Sequence, residues 1–360
     1  MRHAMIMAGG SGTRLWPLSR RETPKQLAEL IDGKSLLEIA ARRLEGLIPA
    51  ERTWICAAEY HRDAMRRQLP RFRNDRFLGE PEGRDTAAAV GFAAAVLEAV
   101  DPGCTMCVLT ADHLIEPEDA FRKRVESALD LAEAGERRLV TFSIKPTRPA
   151  IGFGYIEKGE AIPGFEGAYR VARYVEKPDI ERAKEYVASG RHGWNSGMFV
   201  WKASTALEAL ETFEPEIGDA VRKIGAAWGE SNRASTIESV YRTIKKISVD
   251  YAVMEPASTD ERFEVCTVEA AVSWKDVGSW PSLAETIEPD ASGNRLAGDA
   301  EATLVDCEGV FIFGQRDRHI AVLGCRDLII VETRNATLVV PRDQAERLKE
   351  LVERLPQDLR

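Results

Sequence analysis

The chain reads as an α/β protein, a mixed and mostly parallel sheet flanked by helices, with a small all-β domain after it. Three observations predict this. Over residues 1–145, short β-rich runs alternate with helical patterns, as β–α–β crossovers require. Over 151–290, strands and helices are mixed. After the polar turn cluster Pro289-Asp290-Ala291-Ser292-Gly293-Asn294, only short β-rich runs recur, spaced roughly eight to ten residues apart.

The first strand is predicted at 4–7, with further strands at 53–57, 76–78, 105–109 and 139–143. Helical patterns at 35–47, 59–68, 86–100 and 120–134 separate them. The 86–100 segment is alanine-rich and nearly all apolar on one side, which predicts that it is well buried. Strands at 154–157, 170–176, 197–201 and 264–267 complete a first domain over 1–290. In the second domain, 291–360, strands are predicted at 302–305, 310–313, 320–323, 328–332 and 336–340. Their rough self-similarity reads as a partial β-helix. A charged helix at 343–354 closes the chain.

The 360 residues suffice for one large and one small domain. Apolar content of 44% and charged content of 30% are those of a soluble globular protein. A net charge of −9 opposes general nucleic-acid binding but not a nucleotide substrate, which a local basic cluster can hold. No apolar run approaches a membrane span, and the short strand after Met1-Arg2-His3 is no signal-peptide core. The expected setting is therefore the cytoplasm, with no membrane partner and with six reduced cysteines.

The richest segment is Ala8-Gly9-Gly10-Ser11-Gly12-Thr13-Arg14, continued through Pro24-Lys25. Its glycines allow a sharp turn that aims amide N–H groups at an anion. Arg14 adds a forked donor and Lys25 a compact charge, both suited to phosphate. The competing reading is an ordinary glycine turn. Gly33-Lys34-Ser35 is no phosphate loop, because Ala28 stands where the first glycine belongs. Cys104-Thr105-Met106-Cys107 enters a strand, where residues three apart face opposite ways, and no second cysteine pair completes a zinc site.

Asp112 ends an apolar strand, where a carboxylate serves either as a Mg²⁺ ligand or as a cap for a following helix. Asp276, in Trp274-Lys275-Asp276-Val277-Gly278-Ser279-Trp280, reads as a second metal ligand or as a turn residue, with Ser279 capping a helix near Trp280. Glu176-Lys177-Pro178 stops a strand and leaves Lys177 free to reach an anion, or forms a solvated pair. Gly154 permits close approach of a ligand, and Asn195 suits a sugar hydroxyl or a turn. Asp85 or Thr86 reads as the N-cap of the buried helix, and Asp250 as a cap in preference to a neighbour of the sugar.

The string from Ala8 to Gln26 resembles the signature of the sugar-1-phosphate nucleotidylyltransferases. Leu15-Trp16-Pro17-Leu18-Ser19-Arg20, Gln26 and Ser248-Val249-Asp250-Tyr251-Ala252-Val253-Met254-Glu255 are most similar to its mannose-1-phosphate guanylyltransferase branch. The motifs run in the family's order over about residues 4–285. The resemblance implies a Rossmann-like sheet and a left-handed β-helix at the C-terminus. It implies transfer of GMP from GTP to mannose 1-phosphate by in-line attack on the α-phosphorus. Arg14, Lys25 and Asp112 are then catalytic, and Asp112 and Asp276 hold Mg²⁺ or another divalent cation. Ala8, Gly9, Gly10, Gly12, Thr13, Arg14, Asp85 and Thr86 bind the nucleotide. Gly154, Glu176, Lys177 and Asn195 bind the sugar phosphate. Many relatives have Asn where Asp85 stands, which opens the alternative of another sugar phosphate or another NTP. A catalytically silent regulatory subunit is the alternative from a different class. A homodimer is implied, and a fused isomerase domain is not expected in the roughly seventy residues after 290.

Overall fold

The structure is a computed structural model that describes every residue except Ser11, Arg21, Asp32 and 315–317. By its contacts the chain falls into two compact units. The first comprises Met1–Gly9, Ala41–Thr110 and Ile115–Ser273; the second comprises Gly10–Ala40, Ala111–Leu114 and Trp274–Arg360.

The first unit is built on a nine-stranded sheet. Its spatial order is Phe77–Glu80, Thr53–Ala58, Arg2–Met7, Thr105–Thr110, His192–Lys202, Arg138–Ile144, Glu264–Ala270, Ala168–Val175 and Tyr155–Ala161. The first four strands are parallel, and antiparallel pairings enter with His192–Lys202. Arg138–Ile144 and Glu264–Ala270 form one more parallel pair. Parallel strands need helical crossovers, which explains the alternating pattern of the N-terminal half. The helix Asp85–Val100 is buried continuously from Ala87 to Leu97, as its composition predicts. Small alanine side chains let the helices Ala203–Phe213 and Pro215–Ala226 pack against it. All six cysteines are free thiols.

The second unit has a four-stranded sheet, Arg295–Gly298, Phe311–Gly314, Leu328–Thr333 and Ala336–Pro341, parallel except for the last pair. Glu301–Val305 and His319–Leu323 form a second parallel pair. Successive coils thus stack in register, Arg295 on Phe311 and Phe311 on Ile329, as a β-helix requires. Alternate residues serve two cores. Phe311 and Phe313 pack with Trp280 and Leu15, while Ile312 packs with Val310 and Val322. The Trp280 indole N–H donates to the Trp16 carbonyl at 2.8 Å, and the Trp16 indole to the Leu359 carbonyl at 2.7 Å. These bonds bind the segment after the glycine loop to the helix Trp280–Ala284 and to the last turn of the chain, Gln357–Leu359.

Two expected elements differ, and some strands were not expected. The helix of 35–47 is only Leu36–Arg42; directly after it the Leu44 and Glu45 amides donate to the Ala41 and Arg42 carbonyls, three residues back, and the α pattern stops. The charged segment at 343–354 is a 3-10 stretch, Arg342–Arg347, followed by Leu348–Val352 in α-helix. The strand Arg295–Gly298 escaped the pattern, since Leu296 and Ala297 alone give too short an apolar run.

Candidate active site

In the second unit, Gly10 and Gly12 have left-handed backbones, φ 98° and 61°. A side chain on Gly12 would begin 2.8 Å from the Lys25 Cβ, so the glycine is what admits Lys25. Pro24 starts the short 3-10 turn Lys25–Leu27, and the Lys25 side chain is only 9% exposed. Its Nζ donates to Asp112 Oδ2 at 2.7 Å. Asp112 lies between strands ending at Thr110 and starting at His113, so there is no helix for it to cap. The Val277 amide donates to the Asp112 carbonyl at 2.9 Å, drawing Asp276 into the same neighbourhood.

The two carboxylates differ electrostatically. Burial pushes Asp112 up, but the Lys25 ammonium and His113 pull it further down, to about 2. Asp276 is raised, by burial and by the Asp112 charge, and it has no ion pair among the described residues. A desolvated carboxylate with no direct ion pair, on which His113, Lys25 and Arg14 act only through space, beside a second carboxylate fits a hard cation with oxygen ligands. Arg14, after Thr13 in the 3-10 turn Thr13–Leu15, pairs with Glu346 at 3.0 Å and is half exposed. Ser279 stands at the N-cap of Trp280–Ala284, but its hydroxyl meets Ser282 at 3.1 Å and does not cap.

In the first unit, Ala8 and Gly9 follow the first strand, and the Ala8 amide donates to Cys56 O at 2.8 Å. The helix Asp85–Val100 has no side-chain cap at the preceding Arg84. Asp85 itself is left-handed, φ 68°, and its Oδ1 accepts from the Thr86 amide at 2.8 Å. Thr86 does not cap; its hydroxyl accepts from the Val249 amide at 2.8 Å.

Gly154, Glu176, Lys177 and Asn195 also come together in the first unit. A side chain on Gly154 would begin 2.3 Å from Glu176 Oε2 and 3.2 Å from the Asn195 Cβ, so any larger residue would push the Glu176 carboxylate aside. The Gly154 carbonyl accepts from the Asn195 amide at 2.8 Å. Glu176 is buried and receives Lys177 Nζ at 3.1 Å through Oε1, while Oε2 is buried without a partner. Lys177 has a left-handed backbone, φ 47°, a strain of about 1–3 kcal/mol of the kind concentrated at functional sites. Burial and the Asp250 charge outweigh Lys177 and raise the Glu176 carboxyl to about 7.

Asp250 does not cap a helix. Its Oδ1 accepts from Tyr174 Oη at 2.6 Å and from Asn195 Nδ2 at 2.8 Å. Thr141 Oγ1 donates to Asn195 Oδ1 at 2.9 Å. Together they fix which way the Asn195 amide faces, leaving one N–H and one lone pair for a ligand. Sequence reasoning missed Tyr174 and Thr141, which lie inside ordinary strands. The Asp250 motif was visible, but its partners were not.

His3, Asp101 and Cys104 form a further close group. The Trp54 indole N–H can only donate, and it reaches His3 Nδ1 at 3.3 Å. Nε2 therefore carries the imidazole proton toward Asp101, 3.0 Å away, and offers no lone pair to a metal. No helix among the described residues is long and apolar enough to cross a membrane.

Residues 3–293 match the family described as Nucleotidyl transferase, and 300–355 the MannoseP isomerase/GMP-like beta-helix domain. The chain is 40% identical over 359 residues to the Xanthan biosynthesis protein XanB of Xanthomonas campestris, covering 98% of this chain and 72% of that protein. It is 38% identical over 363 residues to the mannose-1-phosphate guanylyltransferase of Escherichia coli K12, covering 99% and 74%. A crystal structure described as mannose-1-phosphate geranyltransferase from Thermus thermophilus superposes with a TM-score of 0.86 at 34% identity, covering 98% of each chain.

Proposed function

The chain belongs to the nucleotidyl transferase family, and on that footing we propose that it transfers the GMP of GTP to mannose 1-phosphate. A phosphate oxygen of the sugar attacks the α-phosphorus, the α–β bridging P–O bond breaks, and pyrophosphate leaves as GDP-mannose forms. The observation that carries the reading is the Lys25–Asp112 pair beside the buried Asp276, which has no direct ion pair among the described residues. It supplies cationic and metal-ligating groups next to a glycine loop suited to phosphate.

Both reactants are anions, so the protein's task is to position them and offset their charge. Lys25 and Arg14 hold the triphosphate and the departing pyrophosphate. Ala8, Gly9, Gly10, Gly12 and Thr13 present main chain to the nucleotide, and we assign Asp85 and Thr86 to its base. Lys177 steadies the attacking phosphate, while Glu176, Asn195 and the Gly154 main chain read the sugar hydroxyls. Asp112 and Asp276 would hold a divalent cation, Mg²⁺ in our reading. Bound there, it would neutralise phosphate charge.

We take 1–290 as the catalytic domain and 291–360 as the β-rich one, in keeping with the matched spans. We also propose a homodimer. Exposed Val305 and Leu323 are register partners on the β-helix and offer an apolar surface for a second copy. Light scattering at twice the chain mass tests this.

The reaction is tested by pyrophosphate release with Mg²⁺, pairing GTP, ATP, UTP, CTP and dTTP with mannose 1-phosphate and glucose 1-phosphate. Release confined to GTP with mannose 1-phosphate is expected. Release with a different pair would replace the substrates and keep the mechanism. No release from folded protein with any pair would overturn the reading.

A further inference from the structure

We propose that a cleft of about 810 Å³ at the open edge of the nine-stranded sheet is a second ligand site, for a nucleoside monophosphate, which acts on the strand leading to Asp85 and Thr86. None of the candidate substrate residues lines this cleft. Its volume falls in the roughly 300–1,000 Å³ range of small-molecule sites.

Three features define the ligand. Trp228 and Ile237, both half-buried, give the cleft an apolar wall against which a flat ring can lie; Phe77 and Phe92 are buried behind it, and the Arg62 guanidinium stands 4.4 Å from the Phe77 ring centroid. Phe77–Glu80 is the terminal strand of the sheet, with Thr53–Ala58 on one side and no strand on the other among the described residues. Alternate main-chain N–H and C=O groups of an edge strand face outward. They can pair with the donor–acceptor edge of a base as a neighbouring strand would.

Charge defines the rest of the ligand. Arg62 is paired with Glu59 at 2.7 Å, Arg73 with Asp75 at 2.9 Å, and Glu238 with Arg242 outside the cleft. Arg233 is different. Its guanidinium lies 4.8 Å from the Trp228 ring centroid, exposed, with no ion pair among the described residues. A guanidinium held against an indole keeps its fork oriented for a phosphate.

The cleft is also tied to the candidate nucleotide loop. Along the edge strand, Gly79 and Pro81 line the cleft, while Glu80 between them faces away. Glu80 Oε1 accepts from Tyr241 Oη at 2.5 Å, and its Oε2 lies 3.5 Å from where a Gly9 side chain would begin. Tyr241 ends the helix Arg233–Tyr241, whose Ile237 and Glu238 line the cleft. A ligand there touches both elements that hold Glu80, just before Asp85. If it alters GTP affinity, GTP alters its affinity by the same factor.

The test is calorimetric titration of the full chain with AMP, GMP, CMP and UMP, repeated on Arg233→Glu and Ala234→Trp. The first substitution reverses the charge and the second fills the cleft from an exposed helix position. At least one monophosphate is expected to bind the wild type, and both variants should weaken it by about tenfold or more. Basal turnover should stay unchanged in both variants, and the bound monophosphate should shift the KM for GTP in the wild type alone. No binding by any of the four, or binding that survives both substitutions, overturns the site. Binding lost in both variants with the KM for GTP unmoved in the wild type overturns the link to the nucleotide loop. The binding arm stands whatever reaction the protein catalyses, so its failure is separable from failure of the proposed function.

Discussion

The cluster around Asp112 and the cluster around Glu176 both desolvate carboxylates, yet they treat charge in opposite ways. Lys25 is buried against Asp112 and holds it ionised, down to about 2. Lys177 beside Glu176 is 52% exposed, and Asp250 adds a second negative group, so Glu176 rises to about 7. Each arrangement suits a different kind of ligand. A carboxylate kept charged beside a buried second carboxylate with no direct ion pair suits a cation. Carboxyl groups held in a hydrogen-bonded network suit neutral hydroxyls, whose orientation they can specify.

Four substitutions put that contrast to the test. The largest effect is expected from Lys25→Ala, which removes the buried cation and leaves Asp112 unpaired. We expect kcat to fall by about 10²–10³ with the fold intact, as for loss of a preorganised electrostatic group. Turnover at the wild-type level would remove Lys25 from the chemistry.

Next comes Asp250→Asn in the other cluster. The substituted amide keeps the shape but weakens the acceptor shared by Tyr174 and Asn195. The KM for mannose 1-phosphate should rise by about tenfold, the worth of one charge-assisted hydrogen bond, with the KM for GTP unmoved. Equal changes in both constants would reduce Asp250 to a structural role.

The third effect is on stability. The folded-state pKa of Glu176 is raised to about 7 from 4.5, so between those values the folded chain binds more proton than the unfolded chain. This group's contribution to stability therefore falls as pH rises through that window. Denaturant unfolding from pH 5 to 8 should show a shallower decline in Glu176→Gln than in the wild type. Parallel curves would contradict the electrostatic picture of this cluster.

The smallest effect belongs to Glu346→Ala. The Arg14–Glu346 pair is exposed on both sides, and such pairs contribute about 0–1 kcal/mol. Stability should change by no more than that, and turnover should persist because Arg14 is retained. A large loss of turnover would make Glu346 part of the phosphate site.

Short motifs made Lys25, Asp112, Asp276, Glu176 and Asn195 legible, since glycine, proline and charged residues at fixed spacing limit what the backbone can do. The helix Asp85–Val100 was equally plain, because the segment is alanine-rich and nearly all apolar along one side. The strand Arg295–Gly298 was not, because its stability comes from stacking on Phe311–Gly314 and not from its own composition. Asp250 looked like a cap because local spacing was all that could be read.

The alternation of strands and helices, the β-rich C-terminal segment, and the residue types able to handle phosphate and sugar were all present in the chain's order of residues. Those properties are local, set by side-chain period and backbone freedom. Packing in three dimensions was needed to lay Lys25 against Asp112, to bury Asp276 beside that carboxylate, and to let Asp250 orient Asn195. Packing also left Arg233 unpaired above Trp228 at a sheet edge. The physical reason is that burial and Coulomb interaction depend on distance in space, and the chain brings these groups together only when its packed core closes.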